Sequence, residues 1–210
     1  MFITRIVSMF EKVKHYFQNY YKKRKPFAIA TDILFWGLIL LLIIPTTRVP
    51  VSSFFIRLTS FAPSGLSADK QYTLSENTKK WELTDLSGKP VLFSNLMDKP
   101  LFVNEWATWC PPCRAELPGI QKLYEEYGNK VNFLLLSDEP QTKIKAFSRE
   151  HHYEDMPFYR YRYVPQDFST RSIPTTYIIS KEGKVVLTKK GAARWDSEKV
   201  KKLLDKLIRQ

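Results

Sequence analysis

The sequence predicts an α/β domain, a mixed sheet flanked by helices, with an N-terminal single transmembrane helix. Three observations support this class. From about residue 71, apolar runs of strand length alternate with stretches of helical periodicity, residues 27–45 form one long apolar run, and a stretch with Pro, Ser and Gly separates the two. We therefore expect four parts: a basic segment over 1–26, a transmembrane anchor over 27–45, a membrane-proximal linker over 46–70 and the α/β domain over 71–210. The basic segment is expected to form either an amphipathic helix on the membrane or an ordinary surface helix.

The anchor is predicted from FAIATDILFWGLILLLIIP (27–45), in which Asp32 is the only charge. Its length is at the short end of what crosses a bilayer as a helix. The run KKRK (22–25) precedes it, and lysine and arginine are more frequent before it than after it, which predicts a cytoplasmic N-terminus and an extracytoplasmic domain. A retained anchor is favoured over a cleaved signal peptide, because Leu66 fills a position that wants a small residue, and over a buried core helix. A membrane explains the net charge of +12 better than nucleic acid does.

The elements of the domain follow in order. The stretch WELTDLSGKPVLFSNL predicts two short strands about a Ser87-Gly88 turn, and LFVNEW (101–106) predicts a buried strand. A helix is expected from about Pro111, since proline suits the first helical turn, and Gly128 ends it. The pattern then predicts a strand over 131–136, a helix over 142–150, a hairpin of TTYIIS and KVVLT, and a last helix that Ser197 begins. A parallel strand–helix–strand unit and an antiparallel hairpin make the sheet mixed.

Both cysteines of the chain lie in NEWATWCPPCRAELP (104–118). Cys110 falls at the expected helix N-terminus, where unpaired amides and the helix dipole favour an anion and lower the pKa of a thiol. Cys113, about one turn later, is near enough to attack a mixed disulfide formed at Cys110. This spacing predicts a redox centre. A structural disulfide across four residues would constrain the unfolded chain little.

Metal binding is the alternative use of these thiols. A structural zinc site needs four ligands, and the only histidines are His15, His151 and His152, with His15 across the membrane in the predicted topology. We therefore expect no zinc. A copper site that uses both cysteines and His151 or His152 remains open.

The chain resembles the thioredoxin superfamily, in its TlpA/ResA-like branch of membrane-anchored, extracytoplasmic thiol–disulfide oxidoreductases. The likeness runs from about Trp81 to Gln210. It rests on WCPPC with VNEWAT before it and RAELP after it, on DLSGKPVLFSNL and on IPTTYIISKEGKVV. It implies a thioredoxin-like mixed sheet flanked by helices. The sequence gives no sign of a dissociable cofactor.

The resemblance also implies roles for the residues of the redox centre. Cys110 would be the attacking thiol and Cys113 the resolving thiol. Glu116 matches an acidic residue that tunes proton transfer to and from the thiols, and its alternative reading is a solvated helix charge.

Substrate contacts follow from the same resemblance. Pro174 matches the cis-proline that lies beside the disulfide, and Ile173 would offer backbone hydrogen bonds to substrate. Trp109 matches the aromatic residue that flanks the first cysteine, and Pro111 and Pro112 lie between the thiols on the same substrate-facing loop. Trp106, by contrast, is expected in the core.

Glu105 departs from the family pattern, which usually has a large apolar residue at that position. It shares one face of the predicted central strand with Leu101 and Val103. Burying an ionised carboxylate is costly unless it is paired. Glu105 is therefore buried with a raised pKa and joins the thiol chemistry, or finds a basic partner, or lies on a partly open face. We favour the basic partner.

The leading functional hypothesis is a disulfide reductase of the bacterial cytoplasmic membrane, with one membrane pass. Its partners would be extracytoplasmic proteins with disulfides and a membrane thiol-transfer protein as electron donor. The resemblance implies a frequent role in cytochrome c maturation. A disulfide oxidant or isomerase and a copper-binding thiol module are the alternatives. A peroxidase is disfavoured, because Ala107 stands three residues before Cys110 where a threonine is expected.

Overall fold

The computed structural model of the chain describes residues 25–44, 52–53, 55–56, 59, 61–63, 70–168 and 172–210. The chain divides into two units, Met1–Arg48 and Val49–Gln210. The predicted basic segment lies outside the described residues up to position 24, as does much of the predicted linker.

The first unit contains helix α1 (Pro26–Ile43), with proline in its first turn and apolar residues spread evenly around it. Phe27, Leu34 and Trp36 are all more than half exposed. Eighteen residues at 1.5 Å each reach about 27 Å, against a hydrocarbon core of about 30 Å. In the part of the chain that the structure describes, no helix is long and apolar enough to cross a membrane, so the predicted transmembrane helix is not found there.

The second unit contains, from residue 70 onward, eight strands and four helices among its described residues. The strands are β1 (Tyr72–Thr73), β2 (Glu82–Asp85), β3 (Pro90–Leu92), β4 (Leu101–Glu105), β5 (Asn132–Ser137), β6 (Phe158–Arg160), β7 (Thr175–Ile179) and β8 (Lys184–Lys190). The helices are α2 (Glu76–Lys79), α3 (Pro111–Tyr127), α4 (Gln141–Glu150) and α5 (Glu198–Ile208), and short 3-10 turns cover Phe93–Leu96 and Gln166–Phe168.

The centre of the sheet is a parallel pair. Strands β4 and β5 run in the same direction, with Leu101 opposite Asn132 and Glu105 opposite Leu136, and α3 connects them. Every residue of β4 is buried, as expected for a strand covered on both faces. Because the carboxyl ends of parallel strands meet at the same end of a sheet, the loop after β4 lies beside the loop after β5.

Strand β6 extends the parallel part of the sheet beside β5, and antiparallel strands complete the sheet. Strand β7 pairs with β4 on the side away from β5, and β8 pairs with β7 through a turn in which Gly183 has φ of +85°. The order across the sheet is β1-β8-β7-β4-β5-β6-β2-β3, so that β1 and β3 are outermost. The prediction of an α/β fold with a mixed sheet flanked by helices is confirmed. Strands β1 and β6, helix α2 and the 3-10 turns were not predicted.

The two faces of the sheet are covered differently. One face packs against α3, α4 and α5 and holds both cysteines together with Trp106 and Trp195. The other carries a second cluster, which contains Trp81, Phe93 from the first 3-10 turn and Phe168 from the second. We call these the helical face and the N-terminal face. The redox motif therefore belongs to the helical face of the sheet.

Candidate active site

The two cysteines form a disulfide at the N-terminus of α3, with a sulfur–sulfur bond of 2.10 Å. Cys110 is the N-cap residue, and its Sγ accepts a hydrogen bond of 3.3 Å from the backbone N–H of Cys113. Pro111 and Pro112 fill the first helical positions, where no backbone donor is needed. A thiolate at Cys110 would receive the same amide and the positive end of the helix dipole. The local sequence therefore builds a site suited to a sulfur anion.

The loop before α3 is a tight turn. The N–H of Cys110 donates to the carbonyl of Ala107 at 3.2 Å. Trp109 is 62% exposed at the tip of this turn, whereas Trp106 is buried in the core, as expected. The exposed indole and the two prolines are thus the immediate chain neighbours of the largely buried Cys110.

The structure places the expected proline at the same end of the sheet. The Ile173–Pro174 peptide bond is cis. Pro174 directly precedes β7, which runs antiparallel to β4, so the start of β7 lies beside the end of β4. The loop that departs from the end of β4, residues 106–110, leads into α3, and we call it the redox loop. Ile173 is half-buried against the core that contains both cysteines. This position suits a role for Ile173 and Pro174 in holding an extended substrate next to the disulfide.

Glu116 is not a solvated helix charge, because it is 3% exposed. It lies one turn after Cys113 on the same helical face. Its Oε1 accepts a 2.8 Å bond from Asn104 Nδ2, and its Oε2 accepts bonds from Trp195 Nε1 at 2.8 Å and the Ala193 N–H at 3.2 Å. Burial raises the pKa of Glu116 to about 7, although these donors oppose the shift. Glu116 can therefore hold or release a proton near neutral pH.

Replacing Glu116 with glutamine should remove this proton acceptor. We expect kcat/KM for disulfide reduction in the native protein to rise with pH through about 7, as Glu116 loses its proton and can accept one from Cys113. The variant should lose this inflection and be about 100-fold slower at pH 8. Glu125→Gln, on an exposed position of α3, is the matched control. A Glu116 variant that keeps the inflection would contradict the assignment.

Glu105 lies on the N-terminal face at the end of β4, opposite Thr175 of β7. The basic partner that we favoured for it is absent: Glu105 is 5% exposed, its Oε1 has no hydrogen-bond partner, and it takes part in none of the ion pairs found among the described residues. The titratable groups that sense it are the phenols of Tyr72 and Tyr161, which cannot balance a carboxylate. Burial alone raises the pKa of Glu105 to about 8.

Several residues that support the site were missed at the level of sequence. Asn104 and Trp195 bind the Glu116 carboxylate, and Glu139 binds Thr108 in the redox loop. Trp195 lies 79 residues from Glu116 along the chain, and no local pattern signals that pairing. Glu139 had a signal, because it closely follows β5, whose carboxyl end had to lie next to the redox loop.

His151 and His152, the histidines that the structure describes, do not join the thiols. His151 Nε2 lies 3.1 Å from the guanidinium of Arg114, which itself lies over the ring of Phe147. Desolvation and the nearby Arg114 lower the pKa of His151. Among the described residues, no group of three or more His, Cys, Asp or Glu side chains is arranged to hold a metal ion. The geometry therefore gives the copper alternative no support.

A cleft of about 530 Å³ opens beside the redox loop. Pro112, Lys189 and Ala192 line one side of it, and Ile56 and Phe61 from the preceding segment line another. Ser53 Oγ also donates a 2.7 Å hydrogen bond to the carbonyl of Pro111. The space reaches the CxxC motif at Pro112 and is large enough for several residues of an extended chain.

The sequence matches the AhpC/TSA family over residues 74–188. It is 33% identical over 129 residues to thiol-disulfide oxidoreductase ResA of Bacillus cereus, and the match covers 58% of this chain and 73% of that one. It is 32% identical over 108 residues to the thioredoxin-like protein YneN of Bacillus subtilis (strain 168), covering 49% of this chain and 63% of YneN.

A solved structure agrees with these relatives. The pneumococcal exposed lipoprotein thioredoxin (Etrx1) from Streptococcus pneumoniae strain TIGR4 superposes with a TM-score of 0.51 at 26% identity. The match covers 60% of this chain and 98% of that structure. Sequence and structure comparisons therefore agree on the domain that carries the disulfide.

Proposed function

This chain belongs to the AhpC/TSA family and carries the dithiol of a thiol–disulfide oxidoreductase, and we propose that it reduces disulfides of exported proteins. The observation that carries the proposal is the Cys110–Cys113 disulfide at a helix N-terminus with the protonatable Glu116 one turn behind it. A sulfur anion and a proton acceptor are the two groups that thiol–disulfide exchange requires.

The reaction begins from the reduced dithiol. The Cys110 thiolate attacks one sulfur of the client disulfide, so that a bond forms between Cys110 and that sulfur while the client bond breaks and the other client sulfur leaves as a thiolate. Glu116 takes the proton of Cys113, whose sulfur attacks Cys110. The Cys110–Cys113 disulfide forms, the second client sulfur leaves, and two electrons have passed to the client. The structure is that of the oxidised product.

The electron donor and the location form part of the proposal. We place the domain outside the cytoplasm, attached to the bilayer through its N-terminal part, and re-reduced by a membrane thiol-transfer protein. The KKRK run at 22–25 and the exposed apolar surface of α1 support attachment. The similarity to a pneumococcal exposed lipoprotein also supports it. Apocytochromes c, whose haem-attachment cysteines must be reduced, are the client class that we propose first.

The reduction potential of the Cys110–Cys113 couple tests the direction of electron flow. Equilibration of the full-length protein in detergent with glutathione buffers should give a value near about −270 mV, as expected for a reductase, rather than about −120 mV, which would make the protein an oxidant. A couple that does not cycle would contradict the function altogether. The oxidant or isomerase alternative thus has a distinct outcome in the same measurement.

A further inference from the structure

The side chain of Glu139, which lies outside the redox loop, fixes the position of that loop. Thr108, the second residue of the turn that ends at Cys110, donates its backbone N–H to Glu139 Oε2 at 2.6 Å and its hydroxyl to Glu139 Oε1 at 2.9 Å. Thr108 and Glu139 are each 7% exposed. A single carboxylate therefore binds both donors of the residue that sets the course of the turn, in a place largely closed to water.

Glu139 is itself fixed in position. It closely follows β5, which is in register with β4, and its N–H donates to Ser137 Oγ at 3.3 Å. Lys143, in the first turn of α4, places its Nζ 2.5 Å from Oε1. Although burial raises the pKa of Glu139, the hydrogen bonds from Lys143 and Thr108 lower it further than burial raises it. The group is thus a charged acceptor held by the sheet.

The hydrogen bonds of the turn link the position of Thr108 to that of the Cys110 sulfur. The N–H of Cys110 closes the turn on Ala107, and Cys110 is also the N-cap whose Sγ accepts the Cys113 N–H. A turn that shifted would move the sulfur away from that amide. We propose that Glu139 is a positioning residue, which holds Cys110 Sγ against the first amides of α3. The inference rests on the proposed function, since it concerns how the dithiol is kept reactive.

Charge and fold stability are the two alternatives to positioning. The carboxylate could act on the thiol through its charge alone, in which case removing the negative charge would favour the Cys110 thiolate. It could also serve only the stability of the fold, in which case the chemistry of the thiol would not change. Positioning differs from both, because loss of the hydrogen bonds should disfavour the thiolate whereas loss of the charge alone should not.

Variants of the full-length protein distinguish these three roles. Glu139→Ala removes both acceptors. Glu139→Gln removes the charge but can keep both bonds, since its amide oxygen can accept from the Thr108 N–H and its amide nitrogen can donate to the Thr108 hydroxyl. Lys145→Met removes a positive charge from an exposed position of α4, leaves the pair of Glu139 and Lys143 in place and is the matched control. Thr108→Val, with Thr108→Ser as its rescue, is a milder test should Glu139→Ala fail to fold.

The measurements are the pKa of Cys110, from the pH dependence of its alkylation by iodoacetamide, and the glutathione equilibrium of the couple. We expect Glu139→Ala to lower the alkylation rate at pH 6 by about fivefold and to make the couple more reducing, as loss of one capping bond would. Thr108→Val should change both in the same direction, and Thr108→Ser should restore them. Glu139→Gln and Lys145→Met should stay within about twofold of the native rate.

Three outcomes would overturn the inference. If Glu139→Ala and Thr108→Val both keep native thiol reactivity, Glu139 has only a structural role. A Glu139→Gln protein as impaired as Glu139→Ala would indicate that the charge matters instead of the position, and so would a shift of the same size in Lys145→Met. The native protein serves as the separate check on function: if its own dithiol does not cycle with glutathione, the proposed function fails, whereas a cycling dithiol with unchanged variants refutes only the role of Glu139.

Discussion

Replacing Cys113 with serine should stop turnover and leave client protein bound covalently to Cys110. Cys110 caps α3 and can still attack, because its stabilising amide comes from the backbone of residue 113 and survives the substitution. Release requires a second sulfur, which serine does not supply. We expect the steady-state rate to fall by at least about 10³-fold, with a one-to-one mixed disulfide visible by non-reducing electrophoresis and mass spectrometry.

Cys110→Ser is the matched control for this trap. It removes the attacking sulfur and leaves Cys113, which is completely buried. It should show neither turnover nor adduct. A Cys113→Ser protein that turns over at a native rate, or an adduct that forms on Cys113 in the Cys110→Ser protein, would reverse or refute the assigned roles.

Replacing Glu105 with phenylalanine should stabilise the protein strongly. The folded pKa of about 8 lies above the unfolded value of 4.5, so the folded protein holds a proton that the unfolded chain has released between these pH values. Stability from this group is fully present below pH 4.5 and falls as pH rises to about 8. The loss amounts to about 3 kcal/mol at pH 7. Phenylalanine removes this loss and adds apolar burial, so we expect a gain of about 3 kcal/mol at pH 7.

Chemical denaturation at pH 5 and pH 8 measures this effect. The gain should be larger at pH 8 than at pH 5, and Glu105→Gln should give the same pH dependence without the change in volume. Glu116 also titrates in this range, but its contribution is common to native protein and variant and cancels in the difference. A gain that does not change with pH would show that Glu105 is not the group responsible.

The same variant decides whether Glu105 takes part in redox chemistry. Glu105 lies on the N-terminal face, whereas the cysteines lie on the helical face of the sheet. We therefore expect the pKa of Cys110 and the reduction potential to be unchanged in Glu105→Phe. A shifted thiol pKa would give Glu105 the tuning role considered from the sequence.

The sequence predicted the parts of the fold whose signals are local. Strand β4 is a mostly apolar run, α3 has proline in its first turn and Gly128 as its C-cap, and the β7–β8 hairpin is marked by Gly183. Strands β1 and β6 have two and three residues, too few for a periodic pattern, and they exist because neighbouring strands offer them hydrogen bonds.

Less of the candidate site than of the fold could be predicted from the sequence. The spacing of the cysteines marks them as a pair, but the partners of Glu116 come from β4 and from the segment before α5. The prediction for Glu105 was wrong because it relied on the usual rule for buried charge, which assumes an ionised group. A carboxyl that keeps its proton avoids most of that cost and needs no basic partner.

The outermost strands have a consequence for behaviour in a crowded compartment. In the described part of the chain, the sheet ends in β1, of two residues, and in β3, of three residues that begin with Pro90. A long unpaired border with free amides would template pairing with other chains and promote aggregation, and short strands and proline both prevent it. Under the proposed function, the protein can thus engage its clients at the disulfide without pairing the edges of its sheet with their backbones.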